Sequence, residues 1–310
     1  MKETTSQTFG KVYHVPVLYN EVLEALHIKP DGIYVDGTFG GGGHSKGILE
    51  KLNGDGKLIA FDQDKDAQRN IPTDERIIFI PNNFRHLKRF LRLHKIEKVD
   101  GILADLGVSS HQFNEGERGF SIRYNGPLDM RMDMRQTTTA ADILSSYNEH
   151  QLHKMFETWG EITNAKTLAK HIVEHRSNSS FKMIESFLSS LQPVVKGNPN
   201  KYFAQVFQAL RIEVNDEMGA LAELLQTSVD MLKSGGRIAI ITFHSGEDRL
   251  VKNFFKNGNF NDEMDENPFE SKEKKKDFHI ITKKPIVPTG EEIKRNSRSR
   301  SAKLRVAEKI

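Results

Sequence analysis

Cysteine is absent from all 310 residues, which excludes disulfides, thiolate metal sites and cysteine nucleophiles. No apolar run reaches the ~18 residues of a membrane-spanning helix, and the polar start MKETTSQTFGKVYH lacks the apolar core of a signal peptide. A cytoplasmic protein with no membrane partner is therefore expected. Two phosphate-binding patterns are missing as well. The one glycine-dense stretch does not fit GxGxxG cleanly, and no Gly-Lys-Ser/Thr follows it, so the expected ligand is a nucleoside-like cofactor without a diphosphate. Charge of one sign is scarce only on average: 45 Lys/Arg face 42 Asp/Glu, but residues 271–310 hold 13 Lys/Arg against 5 Asp/Glu. A basic tail on a mildly acidic body predicts contact with a polyanion, although a solvated charged tail is the commoner origin of such a run.

What is present is organised around Asp36 to Ser45, DGTFGGGGHS. A short apolar run, Ile33 to Val35, breaks there into four consecutive glycines and then a helix-like segment. Glycines in such number weaken regular structure; their use is to let backbone pass close to a ligand, with free N–H groups at the helix start facing it. Three further apolar runs end in polar residues: Leu58 to Phe61 before Asp62, Ile77 to Ile80 before Asn82, and Val99 to Ala104 before Asp105. Helical patterning separates them (Lys46 to Leu52, Asp64 to Asn70, Phe84 to Leu93), which is the spacing of βαβ units in a parallel sheet. Ligands of such sheets bind at the carboxyl ends of the strands, where all four polar residues gather. Asp62 suits the hydroxyls of a ribose, and Asp64 suits a helix cap. Phe84 is either an adenine platform or an ordinary core residue.

From Phe113 to Arg135 neither strand nor helix periodicity holds, as in a binding loop, although Met130, Met132 and Met134 alternate as one half-buried strand does. Ala140 to Leu191 is helix after helix, an insert within the α/β domain. His171 and His175 sit at i, i+4 with no third ligand type nearby, so no metal site is expected. Tyr202 to Met218 reads as a helix returning to the sheet, and Leu221 to Leu232 as an amphipathic helix stopped by Ser234-Gly235-Gly236. Arg237 to Phe243 is a fifth strand. His244 then falls at the same sheet edge as the glycines, while Ser245 with Asp248 has the spacing of a capping box. Asn257 to Asp277 is charged and expected to be mobile. Phe278 to Ile281 and Leu304 to Val306 are expected to pair as the last strands, with a Lys/Arg-rich stretch extended by Pro285 and Pro288 between them. Near the N-terminus, His14 to Leu26 reads as a helix.

These motifs converge. HVPVLYNEV, DGTFGGGGHS, FDQD, DLGVSS, ERGFS with GPLDMRMD, FQALRIEVNDE, ITFHS with EDR, and NSRSRSAKLRVAE resemble, in order, the bacterial 16S ribosomal RNA cytosine-N4 methyltransferases. The resemblance implies a Rossmann-like class I α/β fold with an inserted helical domain, residues 1–112 and 216–310 forming the S-adenosylmethionine-dependent domain and 113–215 the insert. It implies S-adenosylmethionine as cofactor, held by Gly42, Gly43, His44, Asp62, Phe84, Asp105 and Gln112. The implied partner is 16S rRNA or the small ribosomal subunit, with methylation of a cytidine in the decoding region. His44 either touches the donor or only starts its helix. Asp105 is a candidate both for the cofactor and for catalysis, accepting a hydrogen bond from the reacting amine. The lack of cysteine argues against C5 methylation, which needs a covalent thiol adduct, and the lack of an Asp/Asn-Pro-Pro-aromatic motif argues against the DNA amino-methyltransferases. A base must leave its stack to react, so Arg118, Phe120, Arg131 and His244 are candidates for the substrate, and Arg295, Arg298 and Arg300 for phosphates. The alternatives are a nicotinamide-dependent oxidoreductase and a catalytically idle RNA-binding assembly factor.

Overall fold

The computed structural model describes residues 16–177, 181–260 and 276–310. The apolar runs form strands β1 (Ile33–Asp36), β2 (Lys57–Phe61), β3 (Ile77–Ile80), β4 (Val99–Asp105), β5 (Leu232–Thr242), β6 (Phe278–Ile280) and β7 (Lys303–Lys309). They make one sheet of order β3-β2-β1-β4-β5-β7-β6. The first five are parallel, and β7 runs antiparallel to both β5 and β6. Helices α1 (Tyr19–Ala25), α2 (Gly43–Lys51) and α3 (Leu87–Leu93) cover it, together with α10 (Glu217–Met231) and α11 (Ser245–Asn257). Strand residues alternate between the two faces. Val35, Ile59, Ile102, Ile238 and Ile240 pack with α3, α10 and α11. Tyr34, Leu58, Leu103, Ala239 and Ile241 pack with α1 and α2 on the other side. Burial on both faces explains why these strands read as continuous apolar runs.

Between β4 and β5 the chain leaves the sheet. It forms α4 (Ser110–Asn114), α5 (Ala140–Ser146), α6 (Glu149–Thr158), α7 (Ala165–His175), α8 (Ile184–Leu191) and α9 (Pro199–Asn215). Phe120, Leu128 and Met130 join buried residues of α5 to α9 in a core separate from those of the sheet. Met130 has φ +64 and sits in irregular backbone, so the Met130–Met134 alternation is loop rather than strand. Asn215 fixes this loop to the end of α9: its Oδ1 accepts the Met132 N–H at 2.7 Å and its Nδ2 donates to the Met130 carbonyl at 2.8 Å.

Four local readings change. The Asp64–Asn70 segment is a 3-10 helix, Lys65–Asn70, with Asp64 as its cap. The Ser234-Gly235-Gly236 stretch does not end a helix. The α10 helix stops at Met231, and β5 already runs through the glycines, with Gly235 at φ +76 and a register shift between the Val99–Leu232 and Gly101–Arg237 pairs. The first helix begins only at Tyr19, after Leu18 in left-handed geometry, and His14 lies outside the described residues, as does most of the Asn257–Asp277 stretch. The basic stretch before β7 is only partly extended. Ile286 bridges to Leu304, and Thr289 then caps helix α12 (Gly290–Arg295).

Candidate functional site

The strand order reverses between β1 and β4, the switch point at whose carboxyl edge ligands of such sheets bind. The glycine loop lines that edge. Asp36, at the end of β1, is an internal post for that loop: it accepts from Ser45 Oγ at 2.7 Å and from the Thr38 N–H at 3.0 Å, and burial pushes its pKa up. Gly37 donates its N–H to the Leu103 carbonyl at 2.8 Å; a Cβ there would come within 3.2 Å of the Phe84 Cβ. Phe84 thus packs directly on the loop and also borders the sheet core. Gly42 precedes α2 with φ +74, and a Cβ on Gly43 would meet Pro16 Cγ at 2.3 Å. Both positions require glycine for structural reasons, whatever they also hold.

Asp62 faces the loop from β2. Its Oδ2 accepts the Gly40 N–H at 2.7 Å and its Oδ1 the Asp64 N–H at 2.8 Å, which leaves each oxygen a second lone pair for a ligand hydroxyl. Burial pushes its pKa up to about 6, against the pull of these two N–H groups. Asp105, at the end of β4, donates its backbone N–H to Thr38 Oγ1 at 2.6 Å. Its side chain is 24% exposed, yet Oδ1 is buried without a hydrogen-bond partner. Burial, reinforced by the charges of Asp36 and Glu247, pushes its pKa up to about 8, so Asp105 is protonated at neutral pH.

His44 starts α2 with its ring buried. Nε2 lies 3.0 Å from the Val17 carbonyl and must donate to it, which leaves Nδ1 as the lone-pair nitrogen, 3.8 Å from Asp105 Oδ2. Burial lowers its pKa to about 4, so the ring is neutral. On the other side of Asp105, α11 opens with a capping box formed by His244 and Glu247 rather than by Ser245 and Asp248. The cap is one residue earlier because β5 ends at Thr242 and His244 is the extended residue before the first helical turn. Ser245 instead bonds Glu161, and Asp248 pairs with Arg305 at 2.6 Å. Glu247 is buried; it accepts the Phe243 N–H at 2.7 Å and lies 3.2 Å from His244 Nε2, though without an aligned hydrogen bond to that nitrogen. Burial raises the Glu247 pKa, but His244 and Arg211 outweigh it and hold the group ionised. Arg211 itself pairs with Glu217 at 2.8 Å.

The remaining expected site residues fall into two sets. Gln112 is buried beside the cradle, its Nε2 donating to Asp64 Oδ2 at 2.7 Å and its Oε1 capping α4 at the Ser109 N–H. Arg118 also points inward, pairing with Asp64 at 2.8 Å and donating to the carbonyls of Arg131 and Met132. Arg131 forks onto Asp129 and the Gln136 carbonyl. Phe120 is buried in the helical core, which removes it as an open stacking platform. In the tail, Arg295 and Arg300 are exposed, whereas Arg298 lies 5.0 Å over the Phe113 ring and donates to Asn114 Oδ1 at 2.6 Å. This brings the basic tail against α4, close to the cradle. Sequence reasoning missed Glu247, Glu217 and Thr38; only Glu247 carried a signal, the His-x-x-Glu spacing of a capping box. Among the described residues, no group of three or more His, Asp or Glu is placed to hold a metal. A cleft of about 530 Å³ lies elsewhere, lined by Lys88, Arg92, Lys95, Asp230 and Met231 beside the amino ends of β4 and β5.

A reversed strand order, a glycine loop at the switch point and acidic strand ends give the chain a Rossmann-like α/β fold of the kind that takes nucleoside cofactors. The match to the MraW methylase family runs over residues 11–310, and the chain belongs to that family. A Parabacteroides distasonis protein named ribosomal RNA small subunit methyltransferase H is 51% identical over 300 residues, which covers 96% of this chain and 98% of the relative. A Cytophaga hutchinsonii protein of the same name is 52% identical over 308 residues, covering 96% of this chain and all of the relative. Among solved structures, an rRNA methylase from Streptococcus thermophilus aligns with 94% of this chain and 93% of its own at 13% identity and a TM-score of 0.39. The protein is an enzyme, a methyltransferase, and its methyl donor is S-adenosylmethionine.

Proposed function

We propose that this enzyme methylates the exocyclic N4 of cytidine 1402 in 16S rRNA, within the decoding region of the small ribosomal subunit, in the cytoplasm. The observation that carries the reading is near-full-length identity of about half to enzymes named for small-subunit rRNA methylation. The site geometry supports it. The donor supplies an electrophilic methyl on a positively charged sulfur; the protein's part is to hold it, align the amine and manage one proton. Asp62, with a spare lone pair on each oxygen, suits the ribose hydroxyls. Phe84 suits the adenine edge of the pocket, and the glycine loop suits the amino acid end, which leaves Asp105 to the reacting centre.

The N4 lone pair of cytosine is delocalised into the ring, so the amine is a weak nucleophile and in-line positioning dominates catalysis. The base must be presented unstacked at the edge where Asp105 and His244 lie. Arg295, Arg298 and Arg300 suit the phosphates beside it, with Arg298 already anchored on Phe113 and Asn114. Residues 1–112 with 216–310 act as the donor-binding domain, and 113–215 as the substrate arm. The test is to incubate the purified protein with labelled S-adenosylmethionine and small subunits from a strain lacking the gene. One labelled N4-methylcytidine is expected in digests of the RNA. Binding of the subunits without label transfer would instead identify an idle assembly factor.

A further inference from the structure

Asp105 is the one carboxylate of the strand edge that has an oxygen buried with no hydrogen-bond partner. The groups facing it come from every neighbouring element. The β1 strand presents Asp36, whose own oxygens are taken by Ser45 and Thr38. The α2 helix presents His44, a neutral ring with Nδ1 turned toward Asp105 Oδ2 at 3.8 Å. The α11 helix presents the His244–Glu247 cap, and behind it stands the Arg211–Glu217 pair of α9 and α10. Among the described residues no Lys or Arg pairs with Asp105 or Asp36, so none of them compensates a charge on Asp105. The ligand of this pocket does carry a compensating charge, a sulfonium, and loses it on reaction.

We infer that Asp105 exchanges a proton against the charge of the methyl donor: it is a neutral acid in the empty pocket, a carboxylate when the sulfonium is bound, and an acid again once the methyl group has left. The inference rests on the methyltransferase reading. The proton account closes. On binding, Asp105 gives one proton to solvent. In transfer, the amine lone pair forms the new C–N bond, the C–S electron pair goes to sulfur, and the substrate nitrogen must shed one N–H proton. Asp105 takes it, because the neutral thioether no longer stabilises a carboxylate there. The neutral acid is then restored before the product leaves, with no other base required. With the Asp105 pKa at about 8 in the empty site, nearly the whole group is available to release its proton at pH 7.

Calorimetric titration of the full chain at pH 7 in two buffers of different ionisation enthalpy counts the protons directly. S-Adenosylmethionine is expected to release about 0.9 proton per site, and its affinity to rise about fiftyfold in all between pH 6 and 8. S-Adenosylhomocysteine has the same nucleoside and amino acid groups without the charge, and is expected to release close to none. The Asp105→Asn protein should show no difference between the two ligands, which separates Asp105 from the smaller contribution of Asp62. Equal proton counts for the two ligands on the wild-type protein would overturn the inference while leaving the methyltransferase reading intact. Failure of both ligands to bind would overturn both.

Discussion

Replacing Asp105 with Asn should make the donor-free protein less sensitive to alkaline pH, and the size of the effect follows from the site. The group's folded pKa, about 8, is raised above the ~3.9 of an unfolded chain, so its contribution to stability is fully present below pH 4 and is lost as pH rises through 8. Over the interval from pH 6 to 9 the unfolded carboxyl is ionised throughout, while the folded one stays mostly protonated until pH 8. Stability then falls by 1.36 kcal/mol per pH unit over roughly two units, or about 2–3 kcal/mol in total. Partial exposure of the side chain, 24%, makes this an upper figure. Asparagine preserves the shape of the neutral acid but cannot ionise, so the variant should lose less by that amount. Urea unfolding of both proteins at pH 6 and pH 9 without ligand gives the four values needed, and the titrating groups not coupled to Asp105 cancel in the double difference. A double difference within error of zero would show that Asp105 is already ionised at pH 6, and the pocket electrostatics described above would be wrong.

Three other substitutions probe separate parts of the site. Asp62→Ala removes the acceptor of the Gly40 and Asp64 N–H groups and should weaken donor binding by at least tenfold, about 1.4 kcal/mol, while leaving RNA affinity unchanged in a filter-binding assay. Arg118→Ala leaves Asp64 buried without its cation and frees the Arg131 and Met132 carbonyls; a loss of about 3 kcal/mol is expected, with hydrogen exchange faster around Met132 than in the sheet. An unchanged exchange pattern would place the loop's anchoring elsewhere. Neutralising exposed Arg295 and Arg300 together should lower RNA affinity and reduce the slope of its salt dependence by one to two ion equivalents, whereas donor affinity stays constant.

The sheet was legible because its physics is local and repetitive: runs such as Val99 to Ala104 are buried on both faces and need only apolar side chains, with a polar residue where each strand meets the loops. The switch-point carboxylates could be placed for the same reason. What could not be read was set by contacts distant in sequence. Arg118 and Phe120 have the composition of an RNA-contacting loop, but Arg118 is claimed by Asp64, more than fifty residues earlier, and Phe120 by the helical core. Arg298 belongs to a run that looks uniformly solvated, yet its position over Phe113 sets it apart from Arg295 and Arg300. The His244 cap shifted by one residue because a pattern of Ser-x-x-Asp competes with His-x-x-Glu in the same five residues, and the end of β5 decides between them.

The charge balance of the pocket also discriminates between the ligands that a glycine loop and an acidic strand end would otherwise admit alike. Asp36, Asp62 and Asp105 gather at one edge, and among the described residues none is paired with Lys or Arg; the nearby cation Arg211 is committed to Glu217. A dinucleotide would bring a diphosphate toward Asp62, which is ionised at neutral pH, and a pair of like charges about 6 Å apart costs roughly 3 kcal/mol at an effective dielectric of 20. A sulfonium reverses the sign of the same term. The electrostatics therefore disfavour the nicotinamide reading by the same arrangement that favours a cationic methyl donor. On the proposed function the attraction for RNA falls to a separate element, the arginines of the tail, of which Arg298 packs against Phe113 and Asn114 of α4 rather than among the carboxylates.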